Sequence, residues 1–336
     1  MIITKAPFRM SFFGGGTDYQ PFFEKYGGSV LSATFDKYCY VTVRHLPPFF
    51  DYRNQLTYSV IERTRSREEI RHPMVREAMK WLDMRELCIT YDADLPARSG
   101  LGSSSSFAAA LLYAFHALKG QYITPGDLTR ETIHLERVLC AESGGWQDQA
   151  AVCYGGFNRI DFFDSQFRVT PVILSQKRKE RLNQNLMLFF TGFSRFSSDI
   201  AKEQAAAAEE KTAQLLEMRR IVDEAEKILV SKDTPLDDFG RLLHETWKLK
   251  RGLTGKITTD ALNAIYQTAI KEGALGGKLL GAGGGGFFVF YVPGERQAAV
   301  RRALRDLLYV PFRFEGQGAQ VLYYHPEDYD IEGKKE

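Results

Sequence analysis

Pro96-Ala97-Arg98-Ser99-Gly100-Leu101-Gly102-Ser103-Ser104-Ser105-Ser106 runs straight into the alanine-rich apolar segment Phe107 to Leu118. Glycines followed by hydroxyls at a helix entrance build a phosphate cradle. Gly100 and Gly102 let the backbone approach a bulky anion and take positive φ, while the first N–H groups and the positive end of the helix dipole face it. No lysine follows as the Walker loop requires, and no Gly-x-Gly-x-x-Gly spacing is present, which points to a nucleotide-dependent kinase of another lineage. The plainer alternative is a serine-capped helix after a flexible loop.

Around this loop the chain of 336 residues is long enough for two domains, and its 44% hydrophobic content supports a sizeable core. The formal charge is +2, from 44 basic and 42 acidic side chains, so bulk electrostatics argue for neither nucleic acid nor an anionic membrane. Any anion site is therefore local. Cys39, Cys88, Cys140 and Cys153 stand far apart without a Cys-x-x-Cys pair, which disfavours a zinc site or a disulfide framework. Met1 to Pro7 lacks the apolar block of a signal peptide and no apolar run approaches bilayer length, so the expected location is the cytoplasm. Oligomeric state is left open, a homo-oligomer included.

The pattern along the chain is α+β in two lobes. In the first, Ser29 to Ala33 and Tyr38 to Arg44 read as strands, Glu68 to Leu82 as an amphipathic helix, and Cys88 to Tyr91 as a strand before the loop. The hydroxyl cap, proline and acid of Thr124-Pro125-Gly126-Asp127 predict a helix to about Ala141. Phe157 to Phe163 and Phe167 to Leu174 read as strands, and the polar, basic Ser175 to Arg181 as a bridge, which sets the expected lobes at 1–178 and 179–336. In the second lobe, Leu186 to Thr191 reads as a buried strand and Ser198 to Val230 as a long helix. Further helices are expected over Leu236 to Lys250, Thr259 to Glu272 and Glu295 to Leu307, with a strand over Phe287 to Val292.

Chemistry-bearing residues cluster beside glycines. In Arg9-Met-Ser-Phe-Phe-Gly14-Gly15-Gly16-Thr17-Asp18, an ionised Asp18 can accept sugar hydroxyls while the glycines let a ring approach the backbone; a tight turn is the alternative. In Gly144-Gly145-Trp146-Gln147-Asp148, the carboxylate can take or orient the proton of a substrate hydroxyl, with Arg9 as the cation that keeps it ionised. It reads equally as a turn carboxylate. Nucleotide chemistry calls for a metal, and Ser104 with Glu136 are the chosen oxygen ligands for Mg2+, although a mid-helix glutamate is commonly a solvated one. Gly281-Ala-Gly283-Gly284-Gly-Gly286 closes over the phosphate loop or the substrate, or is a flexible turn before a core strand.

Taken in order, Pro7-Phe-Arg9 with Gly-Gly-Gly-Thr-Asp18, Gly100-Leu-Gly-Ser-Ser104, and Gly281-Ala-Gly-Gly-Gly-Gly286 resemble the motifs of the GHMP small-molecule kinases, over nearly the whole chain. The resemblance implies an N-terminal lobe like the second domain of ribosomal protein S5, a ferredoxin-like C-terminal lobe, and ATP with its acceptor in the cleft between them. It implies Gly100, Leu101, Gly102, Ser103, Ser104 and Ser105 for the triphosphate, and Ser104 and Glu136 for magnesium. Asp148 with Arg9 falls to catalysis, and Gly16, Thr17, Asp18, Gly283 and Gly284 to the acceptor.

Galactose-specific members carry Gly-Glu-His-Thr-Asp where this chain has Gly-Gly-Gly-Thr-Asp, which argues against galactose. Tyr26-Gly-Gly-Ser-Val-Leu-Ser-Ala-Thr34 and Lys271-Glu-Gly-Ala-Leu-Gly-Gly-Lys278 look like the branch that acts on D-glycero-D-manno-heptose 7-phosphate at its anomeric hydroxyl, for nucleotide-activated heptose and surface polysaccharide. Another anomeric sugar, L-fucose or a uronic acid, and a silent binding member of the same fold are the alternatives. A heptose phosphate also needs a cationic pocket, with Arg195, Lys250, Arg251 and Lys256 as candidates.

Overall fold

A computed structural model describes residues 1–97, 99–192, 203 and 210–326. Arg98, Arg195 and most of the start of the helix expected from Ser198 lie outside them. Two sheets organise the described residues. The first takes β1 (Ile2–Phe13), β2 (Gly28–His45), β3 (Asn54–Thr57), β4 (Ile61–Thr64), β5 (Leu87–Ala93), β6 (Phe157–Phe163) and β7 (Gln166–Pro171). The second takes β8 (Leu186–Phe190), β9 (Gly276–Leu279), β10 (Phe287–Tyr291) and β11 (Leu308–Val310), in the order β11-β8-β10-β9.

β1 is apolar almost throughout because both of its faces are covered. Thr4 donates from Oγ1 to the Ala110 carbonyl of the helix Ser103–Leu118, while Phe12 and Phe13 meet the ring of Phe239 from the second lobe. The helix Ser103–Leu118 buries Ala108, Ala109, Ala110 and Ala114 completely, and a helix apolar on all sides belongs in the middle of a core.

Several expectations change. The two strands read at Ser29 to Ala33 and Tyr38 to Arg44 are one strand, β2, whose first half pairs with β6 and second half with β5. The polar Asp36-Lys37 interruption sits at a register shift opposite Pro7 and Phe8, so a bulge absorbs it without ending the strand. The helix expected from Glu68 starts at Pro73, which has no N–H to give to a preceding turn. Ser175 to Arg181, which lies between β7 of the first sheet and β8 of the second, is helical: Ser175 Oγ accepts from Arg178 N–H and caps a helix over Gln176–Asn185. The helix from Pro125 changes pitch after Ile133, and His134–Leu139 continues as a π-helix. Glu295 to Leu307 resolves into a short 3₁₀ turn, Gly294–Arg296, and the helix Gln297–Ala303.

The second lobe also fails to run unbroken to the C-terminus. Phe314–Glu315 (β12) pairs with β2 and Gln320–Tyr324 (β13) with β1, returning the chain to the first sheet. The helices Thr212–Val230, Asp237–Arg251 and Asp260–Lys271 belong to the second lobe, whose core gathers Trp247, Tyr266 and Phe288. No helix among the described residues is long and apolar enough to cross a membrane.

Candidate active site

One cleft gathers the phosphate loop, Arg9, Asp18, Glu136, Asp148, Lys250 and Lys278. Gly100 and Gly102 sit at φ of +81° and +76°, and Gly102 is the left-handed residue at the helix entrance. The loop is clasped from behind by the third glycine cluster. A Cβ on Gly100 would stand 2.4 Å from the Leu280 carbonyl oxygen, and one on Gly281 2.4 Å from the Gly100 Cα. Gly281 and Ala282 form this cleft wall, whereas Gly283 and Gly284, expected against substrate, back onto Ile257, whose carbonyl accepts from Gly284 N–H at 2.9 Å.

Of the loop residues, Gly100, Gly102, Ser103, Ser104 and Ser105 line the cleft. Leu101 does not: its side chain is buried in the core and its carbonyl accepts from Arg9 N–H at 3.0 Å. Ser106 latches the helix to β1 by donating from Oγ to the Pro7 carbonyl at 2.8 Å. Two hydroxyl–carboxylate contacts stand in adjacent positions, Ser105 Oγ on Glu136 Oε2 at 2.7 Å and Ser104 Oγ on Glu142 Oε2 at 3.4 Å. Glu136 thus pairs with Ser105 rather than with Ser104, and also accepts from Gln149 Nε2. The wider π-helical turn carries Glu136, which is buried, at the cleft wall; such turns recur at functional sites.

Arg9, on β1, makes the central contact. Its Nε and Nη2 donate to Asp148 Oδ1 and Oδ2 at 2.8 and 2.7 Å, and its Nη1 to the Gly100 carbonyl at 2.6 Å. The planar fork fixes the Asp148 carboxylate in the first turn of the helix Gln147–Tyr154 and ties it to the phosphate loop. Side chains 139 positions apart in sequence are thereby brought together beside the Gly100–Ser105 loop.

Asp18 is held by backbone. Gly16 N–H donates to Oδ1 at 2.9 Å and Gln147 N–H to Oδ2 at 3.3 Å. Burial pushes its carboxyl above the ordinary carboxylate range, with the charge of Asp148 adding to the rise and the two N–H donors opposing it. The Gly144–Gln147 bend can wrap Asp18 only because residue 145 has no side chain: a Cβ there would lie 1.8 Å from Asp18 Oδ2. Arg137 pins that bend through the Glu142 and Gly145 carbonyls. Thr17 faces away from the cleft, its hydroxyl engaged with Gly14 and Ser29, so it builds the turn.

Of the basic candidates for an acceptor phosphate, Lys250 lines the cleft, Arg251 is bonded to Asn263 Oδ1, and Lys256 pairs with Glu203. Lys278, which the sequence reading did not single out, lies fully buried in β9 and lines the cleft too. The oxygen donors Ser104, Ser105, Glu136 and Glu142 suit a hard cation such as magnesium. No group of three or more His, Cys, Asp or Glu that could hold a metal occurs among the described residues.

The chain matches the model of the GHMP kinases N terminal domain over residues 68–156 and that of the GHMP kinases C terminal domain over residues 229–310. It is 29% identical over 320 residues to a D-glycero-alpha-D-manno-heptose 7-phosphate kinase of Campylobacter jejuni, covering 90% of this chain and 93% of that protein. A bifunctional fucokinase/GDP-fucose pyrophosphorylase of Arabidopsis thaliana is 23% identical over 90% of this chain, which spans 31% of that longer protein. Among solved structures, a D-glycero-D-manno-heptose 1-phosphate kinase from Bacteroides thetaiotaomicron superposes with a TM-score of 0.72 at 25% identity, over 97% of this chain and all of that one. With the two family models together matching half of its length and the fold agreeing, the chain belongs to the GHMP kinases and is a phosphotransferase.

Proposed function

We propose that the protein transfers the γ-phosphoryl group of ATP to the anomeric hydroxyl, O1, of D-glycero-D-manno-heptose 7-phosphate, giving the 1,7-bisphosphate. The observation that carries this reading is the bidentate Arg9–Asp148 pair tied through Gly100 to the phosphate loop. The heptose kinase relative covering nine-tenths of the chain supports the choice of acceptor.

In this reading the N–H groups and hydroxyls of Gly100 to Ser105 hold the triphosphate at the positive end of a buried helix. Asp18 accepts hydrogen bonds from sugar hydroxyls, with Gly16 at the same wall. Asp148 orients O1 in line with the phosphoryl group and takes its proton, while Arg9 holds that carboxylate ionised and in place. The O1–phosphorus bond forms as the bond to the bridging oxygen breaks, and the electron pair leaves with ADP. Ser104 and Glu136 would hold magnesium, which would supply positive charge to offset that of the phosphates.

The fucokinase relatives favour L-fucose as the second acceptor to try. Incubation with ATP, magnesium and a panel of sugars and sugar phosphates, followed by phosphorus NMR, tests the assignment. An anomeric phosphate should appear on heptose 7-phosphate at a kcat/KM at least about tenfold above that on any other acceptor, a preference that one well-placed polar contact can supply. Turnover of mevalonate or galactose alone contradicts it.

A further inference from the structure

The amphipathic helix Asp237–Arg251 buries Phe239, Leu243 and Trp247 on one face, and the next position on that face is Lys250. A lysine thus ends an apolar stripe and points into the second lobe's contact with the first. The residue is 4% exposed, and its Nζ donates to the Gly281 carbonyl, with the Leu279 carbonyl at 3.4 Å. Lys278 is equally enclosed and donates to the Phe12 carbonyl at 3.1 Å. Among the described residues neither lysine forms an ion pair. Beside them Ser11, 4% exposed and two residues along β1 from Arg9, lines the same cleft with an Oγ that has no hydrogen-bond partner.

Buried ammonium groups whose hydrogen bonds go only to carbonyls, next to an unsatisfied hydroxyl, make a site that an anion would complete. Its position says which anion. Gly281, whose carbonyl accepts from Lys250, packs on Gly100 at the head of the phosphate loop, and Arg9 donates to the carbonyl of that same Gly100. Lys250 therefore flanks the loop at the end where Arg9 and Asp148 stand.

We propose that Lys250 is a further catalytic residue, contacting the oxygens of the phosphoryl group in flight, with Lys278 and the Ser11 hydroxyl completing the floor beneath it. Arg9 is committed to Asp148 and to the loop carbonyl, so it serves the acceptor side; Lys250 serves the group that moves. The charge on that group is spread over its peripheral oxygens in a loose transition state, where a desolvated cation acts most strongly. The inference rests on the kinase reading but not on the identity of the sugar.

Lys250 is also poised to respond to pH. Burial first and the neighbouring charge of Arg9 second, against the opposing charges of Asp18 and Asp148, lower its ammonium to about 8; Lys278 faces it from β9. An arriving phosphoryl oxygen favours the protonated form. Above about pH 8 the free enzyme loses this cation, and kcat/KM falls.

The test uses Lys250→Met and the affinity for magnesium–ADP with and without aluminium fluoride, a mimic of the phosphoryl group in flight, with no acceptor present. The wild type should bind ADP more tightly with fluoride, and that gain should decline above about pH 8, a readout that needs no variant. Lys250→Met should keep ADP affinity within about twofold, lose the fluoride-dependent gain, and lower kcat by about 10²-fold, the usual cost of removing one transition-state donor. A wild type without the fluoride gain, or a variant that keeps it, overturns the proposal. So does a variant whose only defect is a raised KM for phosphorylated acceptors, since Lys250 would then read the acceptor's own phosphate. Should the wild type decline heptose 7-phosphate, the choice of substrate falls while the fluoride comparison still reports on Lys250.

Discussion

Asn at position 148 lowers kcat by about 10²- to 10⁴-fold, the range lost with a positioned general base, and leaves ATP affinity within about twofold. The geometry dictates both halves of that result. Asp148 accepts from two N–H donors of one guanidinium, so an amide in its place turns one acceptor into a donor that faces Arg9 Nε or Nη2. The fork is broken on one arm, and no carboxylate remains to take the acceptor's proton. The phosphate loop keeps its own supports, because Arg9 still donates to the Gly100 carbonyl and Leu280 still backs Gly100. Steady-state kinetics alongside calorimetric ATP titration check this. A variant with near wild-type kcat removes Asp148 from catalysis.

Ala at position 145 is the second change with a large expected effect, and it acts through a residue that touches no phosphate. The added Cβ would lie 1.8 Å from Asp18 Oδ2 and 2.9 Å from the Asp18 main-chain carbonyl oxygen, so either the bend or the carboxylate has to move. Both outcomes disturb the acceptor. Displacing Asp18 removes its donors from Gly16 and Gln147, and displacing the bend carries Trp146 and the start of the Asp148 helix with it. A shift of about 1 Å in a reacting group costs about 10²-fold in kcat/KM. Overpacking of this kind also costs about 1–3 kcal/mol of stability. Acceptor KM, ATP affinity and thermal melting measured together separate the effects: kcat/KM for the acceptor should collapse while ATP binding stays. An unchanged acceptor KM contradicts the role given to the Asp18 clasp.

The sequence made the phosphate loop legible because its demands are local: positive φ at Gly100 and Gly102, small hydroxyls after them, and a helix behind. Arg9, Asp18 and Asp148 could be nominated from their glycine surroundings, but that Asp18 is wrapped by residues 145 to 147 follows only from the folded chain. Thr17 and Leu101 read as ligands because they sit inside the motifs; their side chains instead close the turn and fill the core. Glu136 was found for its chemistry, while its π-helical setting has no signature in a run such as His134 to Leu139.

The least legible features were those made at long range. β12 is two residues long, and nothing local in Phe314-Glu315 says that it will cross back to pair with β2. Lys278 lies in an ordinary strand until the Phe12 carbonyl arrives from 266 positions away. Ser175 is different, since a serine cap before a polar helix could have been read; the charge of the segment drew attention from it.

The most direct measurement is a crystal structure with a non-hydrolysable ATP analogue, magnesium and heptose 7-phosphate. The account predicts phosphate oxygens within hydrogen-bond distance, about 3 Å, of the N–H groups and hydroxyls of residues 102 to 105, and the acceptor's O1 at the same distance from an Asp148 oxygen. Phosphates seated away from that loop, or an acceptor with no oxygen within reach of Asp148, would contradict it.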